Sequence, residues 1–237
     1  MARVWITRAE PGASQTAARL EALGHTPIVE PVLAVRALAD VVALPVDAAA
    51  LAFTSLNGVA VFSVLLRDDS DVAEAFKTLP VFVVGDATAR AARDVGFARV
   101  ESAGGDLNSL ADLIAARWSP TQGTVLAVGA REPAGDLPDM LKGRAEVRPF
   151  PVYEAHATGA AAPDAFDVVL IHSPRAAAAV AIGSGLTAAA CRNRVAVVIS
   201  QAAARPLASL AFGSVRVADA PTEKGVLLAL GKAPLAV

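Results

Sequence analysis

"LAFTSLNGVAVF" at residues 51–62 and "VLIHSPRAAAAV" at residues 169–180 share one pattern: a short apolar run, a polar turn containing a serine, and an apolar stretch. The two serines, Ser55 and Ser173, occupy the same place in the pattern and lie 118 residues apart. A buried strand followed directly by a helix is the building unit of parallel sheets with helices on their faces. The two stretches therefore predict two copies of one α/β arrangement.

The repeat extends over most of the chain. Residues 82–100, "FVVGDATARAARDVGFARV", resemble residues 197–215, "VVISQAAARPLASLAFGSV". Residues 6–32 and 128–152 form a third pair, and both of these segments end in Pro-Val. Offsets of about 115–120 residues are too long for a solenoid repeat but match the usual size of one domain. We therefore expect an α/β fold of two similar domains, each a parallel sheet flanked by helices.

Two long strands decide how these domains are connected. Residues 26–35 and 146–153 are strand-like segments longer than the usual strand of about 5–6 residues. If both are crossover strands that join the domains, residues 1–34 and 156–237 form a discontinuous first domain and residues 35–155 form the second. A sequential division near residue 120 is the alternative, and the repeat pattern is compatible with both.

Composition excludes several classes of protein. Hydrophobic residues make up 54% of the 237 residues, which predicts a folded globular chain. The net charge of −2 creates no positive electrostatic field that would attract nucleic acid. One cysteine and three dispersed histidines predict no disulfide and no metal site. The start of the chain lacks a signal-peptide pattern, and no apolar run reaches the ~20 residues of a membrane span. We therefore expect a soluble cytoplasmic protein with no membrane association.

Polar residues directly follow several of the predicted strands. In parallel sheets, ligands bind at this place, beyond the carboxyl ends of the strands and at the N-termini of the helices that follow. Such positions can bind anions through backbone N–H groups, but serine, threonine and proline there are also ordinary residues of a helix start. Both interpretations remain open for each residue. The candidate binding residues are Thr7, Arg8, Ser55, Asn57, Thr88, Ser173 and Arg175.

Familiar catalytic motifs do not occur. The sequence has no dinucleotide-binding GxGxxG, no phosphate-binding GxxxxGK[ST] and no GxSxG nucleophile elbow. His172 and Ser173 are neighbours, but adjacent strand residues point to opposite faces, so they do not predict a catalytic pair. We therefore expect no cofactor.

The ordered motifs resemble the uroporphyrinogen-III synthase family. The likeness covers nearly the whole chain and rests on "VWITR", "LEALGH", "TPIVEPVLAV", "FTSLNGV", "VFVVGDATARAARDVGF", "SLADLI", "VLAVGARE", "FPVYEA", "DVVLIHSPRAA" and "VAVVIS". Members of that family have two α/β domains joined by a pair of long strands. The resemblance therefore implies the interleaved arrangement.

The resemblance also implies an activity. Family members are cofactor-free lyases that cyclise hydroxymethylbilane, a linear tetrapyrrole with eight carboxylates, in the cleft between the domains. Loss of water gives an azafulvene cation, and a spiro-pyrrolenine intermediate then allows ring D to be inverted. The resemblance further implies that the protein is a monomer of porphyrin biosynthesis and that any contact with the upstream deaminase is transient.

Tyr153 is the only tyrosine of the chain, and its "VY" motif matches the interdomain tyrosine of the family. The resemblance implies that its phenol donates a proton to the departing hydroxyl. In the other copy the matching residue is Leu33, so the repeated fold does not require a phenol there. A tyrosine that only packs at the end of a strand is the alternative.

The second copy departs from the family pattern. Family members commonly carry a Gly-x-x-Thr turn in the last third of the chain, and the first copy has one at residues 85–88. The second copy has "SQAA" at residues 200–203, and His172 stands where threonine is common. A homologue that has lost the activity is therefore one alternative, and a two-domain binding protein for a small anion is another.

Overall fold

The computed structural model describes residues 1–41 and 43–231. The chain forms two compact units. Unit 1 contains Met1–Val35 and the described residues from Ala155 onward, and unit 2 contains Arg36–Glu154. The two units have a sheet of five strands and a sheet of six strands.

The described residues contain these strands and helices. The strands are β1 (Arg3–Ile6), β2 (Thr26–Val29), β3 (Leu33–Ala37), β4 (Ala50–Phe53), β5 (Pro80–Val83), β6 (Arg99–Ser102), β7 (Val125–Ala130), β8 (Val147–Ala157), β9 (Val168–Ile171), β10 (Val195–Val198) and β11 (Ser214–Val217). The α-helices are α1 (Gly12–Ala22), α2 (Leu56–Leu65), α3 (Ser70–Thr78), α4 (Asp86–Asp94), α5 (Leu107–Arg117), α6 (Leu137–Met140), α7 (Pro174–Gly183), α8 (Ala188–Cys191), α9 (Gln201–Ala204) and α10 (Glu223–Leu230). Short 3-10 helices span Leu66–Asp68, Pro120–Gln122 and Arg205–Leu210.

The same strand order occurs twice, as the sequence repeat predicts. The sheet of unit 1 has the order β11-β10-β9-β1-β2, and the other sheet, read in the matching direction, has the order β6-β5-β4-β7-β8-β3. β9 corresponds to β4, β10 to β5, and β1 to β7. The pairs β1–β2, β1–β9, β9–β10 and β10–β11 are parallel, and so are β4–β5, β4–β7, β5–β6 and β7–β8. Two similar parallel sheets flanked by helices are thus confirmed.

Both faces of the unit 1 sheet are buried. On one face Trp5 and Val169 pack with α7 and α9, whereas on the other face Ile6 and Leu170 pack with α1 and α10. Successive strand residues point to opposite faces, so a strand between two helical layers must be apolar at every position. This explains why the strand segments are continuous apolar runs.

The unit 2 sheet is covered in the same way. Phe82 on one face packs with Leu110 and Ile114 of α5. On the other face Phe53 lies in an aromatic cluster with Phe62, at a centroid distance of 5.8 Å. With both faces covered, the strand ends are where polar side chains can meet solvent or ligand.

The predicted long strand at residues 26–35 is divided in the structure. β2 ends at Val29 and belongs to the five-stranded sheet, whereas β3 begins at Leu33 and belongs to the six-stranded sheet. The residues between them, which include Pro31, belong to neither strand and carry the chain from one sheet to the other. β8 is continuous over 11 residues, and both β3 and β8 contain residues of both units.

Candidate active site

Tyr153 lies near the carboxyl end of β7, on the neighbouring strand β8. The side chain is buried, with 7% of the residue exposed, and its hydroxyl oxygen is 2.9 Å from Oγ of Ser55. The backbone N–H of Arg131 donates to the carbonyl oxygen of Tyr153 at 2.8 Å. The β7–β8 register shifts between Gly129 and Ala130, which places Ala130 opposite Tyr153. Such bulges reorient side chains at the ends of strands.

Ser55 is the N-cap residue of α2. Its backbone is extended, and its Oγ accepts a hydrogen bond from the N–H of Gly58 at 3.2 Å. Gly58 allows α2 to lie close to β7, because a Cβ atom there would be 3.1 Å from the carbonyl oxygen of Val128. The serine hydroxyl therefore contacts both a helix N-terminus and the phenol.

Two further predicted residues lie at the same edge of this sheet. Asn57 is half-buried in the first turn of α2, which follows β4. Thr88 is buried in the first turn of α4, which follows the adjacent strand β5. The structure thus brings Ser55 and Tyr153 into contact and places Asn57 and Thr88 at the starts of neighbouring helices.

A group of charged residues beside Tyr153 was not predicted. Arg131, directly after β7, donates to both carboxylate oxygens of Asp40 at 2.7 and 2.9 Å, and its Nη1 is 3.6 Å from Oε2 of Glu154. Arg36 also pairs with Glu154. Exposed pairs of this kind contribute about 0–1 kcal/mol each, so their main effect is to orient the arginines. Arg131 follows a strand in "VGAREP", a segment similar to "ITRAEP" with its arginine one position later than Arg8, and that similarity could have identified it.

The predicted residues of unit 1 lie at the carboxyl ends of β1 and β9. Ser173 is the N-cap of α7 and accepts from the N–H of Ala176 at 3.0 Å, like Ser55 in unit 2. Arg175 donates to the carbonyl oxygen of Ala155 at 3.5 Å. Thr7 is fully buried, and its hydroxyl donates to the carbonyl oxygen of Leu170 at 2.6 Å. That bond joins β1 to β9, so the side chain of Thr7 has a structural partner.

Arg8 is paired with a carboxylate of its own unit. Its Nη1 donates to Oε2 of Glu223 at 2.8 Å, and Oε1 of Glu223 accepts from the hydroxyl of Thr16 at 2.7 Å. Nη1 of Arg19 lies 3.5 Å from the same Oε1. Gly12 leaves room for the Arg8 side chain, since a Cβ atom there would be 2.4 Å from its Nε. The sequence showed Arg8 but not its partner, which lies 215 residues away.

His172 packs against this ion pair. Only 7% of its side chain is exposed, and its Nε2 lies 2.8 Å from Oε2 of Glu223. Within the described part of the chain neither ring nitrogen meets full hydrogen-bond geometry, so the close approach of Nε2 to the Glu223 carboxylate is a poorly aligned polar contact of a neutral ring. Burial lowers the pKa of the His172 imidazole, outweighing the opposing effect of the Glu223 carboxylate. Burial opposes ionisation of Glu223, but His172, Arg8 and Thr16 together lower the pKa of its carboxyl.

The unusual turn at residues 200–203 is accommodated without strain. Ser200 has φ −162° and ψ 165°, close to φ −162° and ψ 169° at its counterpart Gly85. Ser200 caps α9 by accepting from the N–H of Ala203, and Ala203 is fully buried like its counterpart Thr88. The extended backbone is open to any residue type, so this position does not require glycine.

The sequence profile of the family described as uroporphyrinogen-III synthase HemD matches residues 14–227. The chain belongs to the uroporphyrinogen-III synthase family. This is a family of enzymes of porphyrin and heme biosynthesis. No curated protein matches the chain.

Solved structures of family members have the same fold at low sequence identity. The uroporphyrinogen-III synthetase of Helicobacter pylori 26695 is 18% identical, with a TM-score of 0.66 over 97% of this chain and 99% of that chain. A mutant uroporphyrinogen III synthase of the extremely thermophilic bacterium Thermus thermophilus is 16% identical, with a TM-score of 0.51 over 91% of this chain and 92% of that chain.

Residues 1–41 and 43–231 contain no group of three or more His, Cys, Asp or Glu side chains that could hold a metal ion. In the same residues, no helix is both long enough and apolar enough to cross a membrane.

Gly85→Ser puts the serine of the second copy into the first copy and tests whether this position accepts a side chain without strain. We expect the free energy of unfolding to stay within about 0.5 kcal/mol of the wild type, because Ser200 already has this conformation and serine adds a cap. Urea unfolding measures it. Ser200→Ala is the control and should cost about 1 kcal/mol through the lost cap bond. A loss above about 1 kcal/mol in Gly85→Ser would contradict the interpretation.

Burial of neutral His172 predicts an acid-sensitive fold. Its pKa is lower in the folded chain than in the unfolded chain, where it is about 6.5, so the unfolded state gains the proton first. The free energy of unfolding should therefore fall as pH falls below about 6.5, by up to about 1.4 kcal/mol per pH unit from this residue. His172→Thr, which copies the counterpart Thr54, should remove that contribution.

Thermal unfolding of both proteins at pH 5 to 7.5, a window above the titration of Glu223, measures the difference. The wild type should lose stability relative to His172→Thr toward the acidic end. Parallel curves would show that His172 is protonated equally in the folded and unfolded states.

Proposed function

We propose that this protein is a uroporphyrinogen-III synthase, a carbon–oxygen lyase that cyclises hydroxymethylbilane to uroporphyrinogen III. Family membership supports the reaction. The observation that supports a catalytic role within this chain is the buried phenol of Tyr153 beside Ser55, at the ligand-binding edge of a parallel sheet. In the other copy leucine fills the matching position, so packing does not demand a phenol there.

The proposed reaction makes modest demands on the protein. Hydroxymethylbilane loses its hydroxyl as water, and the resulting azafulvene cation is attacked by the substituted carbon of the last pyrrole ring. The spiro-pyrrolenine then fragments and recombines with ring D inverted. The protein must hold the chain ends so that direct closure does not compete, and such positioning alone can contribute several kcal/mol.

Tyr153 is the proposed proton donor. An ordinary phenol has a pKa of about 10 and is protonated at neutral pH, so it can give its proton to the departing hydroxyl. The carbon–oxygen bond breaks, its electron pair leaves with the oxygen, and water departs. The phenolate recovers a proton when the last pyrrole regains aromaticity, so no external acid is consumed.

The carboxylates of the substrate need donors on both copies of the fold. In unit 2 the first turns of α2 and α4 offer backbone N–H groups beside Asn57 and Thr88. In unit 1 the first turn of α7 offers them beside Ser173 and Arg175. Thr7 donates its hydroxyl to Leu170, so we assign its backbone rather than its side chain to binding. Arg8 keeps several N–H donors beyond its bond to Glu223.

The reaction is tested by the isomer that the protein forms. Purified protein mixed with the upstream deaminase and porphobilinogen should give uroporphyrinogen III, identified after oxidation by chromatographic separation of the uroporphyrin isomers. A reaction without the protein is the control for spontaneous closure. If isomer I alone forms in both reactions, the proposed function is wrong.

Tyr153→Phe tests the proton donor. General acids typically contribute about 100-fold or more. We expect a smaller loss here, about 10-fold to 100-fold in the single-turnover rate, because the hydroxyl of this substrate leaves readily. The melting temperature should fall by only a few degrees, since the ring is kept and a hydrogen bond of the phenol contributes about 1 kcal/mol. An unchanged rate of isomer III formation would exclude Tyr153 as the acid while leaving the synthase assignment in place.

A further inference from the structure

Three groups of unit 2 form a continuous hydrogen-bonded chain. The N–H of Gly58 lies 3.2 Å from Oγ of Ser55, and Oγ of Ser55 lies 2.9 Å from the hydroxyl oxygen of Tyr153. The Gly58 bond has a fixed direction because a backbone N–H can only donate. The Ser55–Tyr153 bond can run either way, since each hydroxyl has one proton and two lone pairs.

The surroundings of Ser55 favour it as the donor. Its oxygen already accepts one hydrogen bond, and a hydroxyl that accepts a bond becomes a better donor. It also lies at the N-terminus of α2, where the partial positive charge of the helix makes an O–H group more ready to share its proton. Both effects weaken Ser55 as a second acceptor. Ser55 can therefore accept from Gly58 and donate to Tyr153 at the same time, which is the order that a phenolate at Tyr153 requires.

We propose that Ser55 is a positioning residue that donates its hydroxyl proton to the oxygen of Tyr153 and stabilises the phenolate formed when Tyr153 acts as an acid. The proposal rests on the proposed function. A hydrogen bond to the charged form of an acid favours that form, so Tyr153 loses its proton more easily. While Ser55 donates to it, the oxygen of Tyr153 directs its own proton away from Ser55.

The other copy separates this role from helix capping. Ser173 caps α7 through Ala176 at 3.0 Å, as Ser55 caps α2. The position that matches Tyr153 is Leu33, which lies in the apolar core of unit 1 and whose side chain cannot accept a hydrogen bond. Capping alone thus requires a serine but no phenol. The bond to a phenol is a property of the Ser55 copy.

A spectroscopic titration tests the proposal without any substrate. Tyr153 is the only tyrosine of the chain, so the phenolate absorbance of the whole protein reports this one residue. Ser55→Ala and Ser55→Gly should raise the titration midpoint by about one pH unit, since each removes the donor to the phenolate. Ser55→Gly provides the second variant because glycine is a better N-cap than alanine. Circular dichroism at each pH confirms that the fold persists.

Three control variants test whether the shift in midpoint is specific to the hydroxyl of Ser55 and whether the signal comes from Tyr153. Ser55→Thr keeps a hydroxyl and should titrate like the wild type. Ser173→Ala loses an equivalent cap in the other copy and should also leave the midpoint unchanged. Tyr153→Phe should abolish the absorbance change, which confirms that the signal belongs to Tyr153. A midpoint in Ser55→Ala and Ser55→Gly equal to or below that of the wild type would overturn the proposal.

Kinetics distinguish positioning from direct substrate contact. We expect kcat of Ser55→Ala to fall about 10-fold with a small change in KM, and Ser55→Thr to recover the rate. A raised KM with unchanged kcat and an unchanged titration midpoint would mean that Ser55 binds a substrate carboxylate instead. If the wild type forms no isomer III, the proposed function fails, whereas the titration still decides whether Ser55 donates to Tyr153.

Discussion

Burial of both faces of each parallel sheet is the constraint on which the rest of the structure depends. Strands such as β1 and β9 are apolar at successive positions because helices cover both sides. In the central strands polar side chains are therefore confined to the strand ends and the first turns of the helices that follow. Because the strands are parallel, their carboxyl ends meet at one edge of each sheet. Ser55, Thr88 and Ser173 are all found at such positions.

The duplicated fold makes the difference between its copies informative. Both copies keep a serine N-cap after the equivalent strands β4 and β9, which is what the helix start requires. Only unit 2 adds a phenol beside that serine. Residues shared by the copies are thus explained by the fold, and the residue that differs is the better candidate for chemistry.

Unit 1 uses the corresponding edge differently. Arg8, Glu223 and His172 form a buried polar group that links the end of β1, the end of β9 and the start of α10. Breaking such a group is costly because the remaining charge has lost its partner in a region of low dielectric. In unit 2 the residue that matches His172 is Thr54. The charges of Arg8 and Glu223 at this edge of unit 1 are therefore paired within the unit.

The sequence by itself determined the two α/β copies, the alternation of strands and helices, and the serine caps. These features are encoded within a few neighbouring residues, by apolar runs and by cap chemistry. The tertiary structure alone decided which distant residues meet, as in the Ser55–Tyr153 contact across 98 positions and the Arg8–Glu223 pair across 215. It also showed the division of the predicted long strand at Pro31 and the charged residues around Arg131. Such contacts depend on strand order, register and a bulge, which no local pattern specifies.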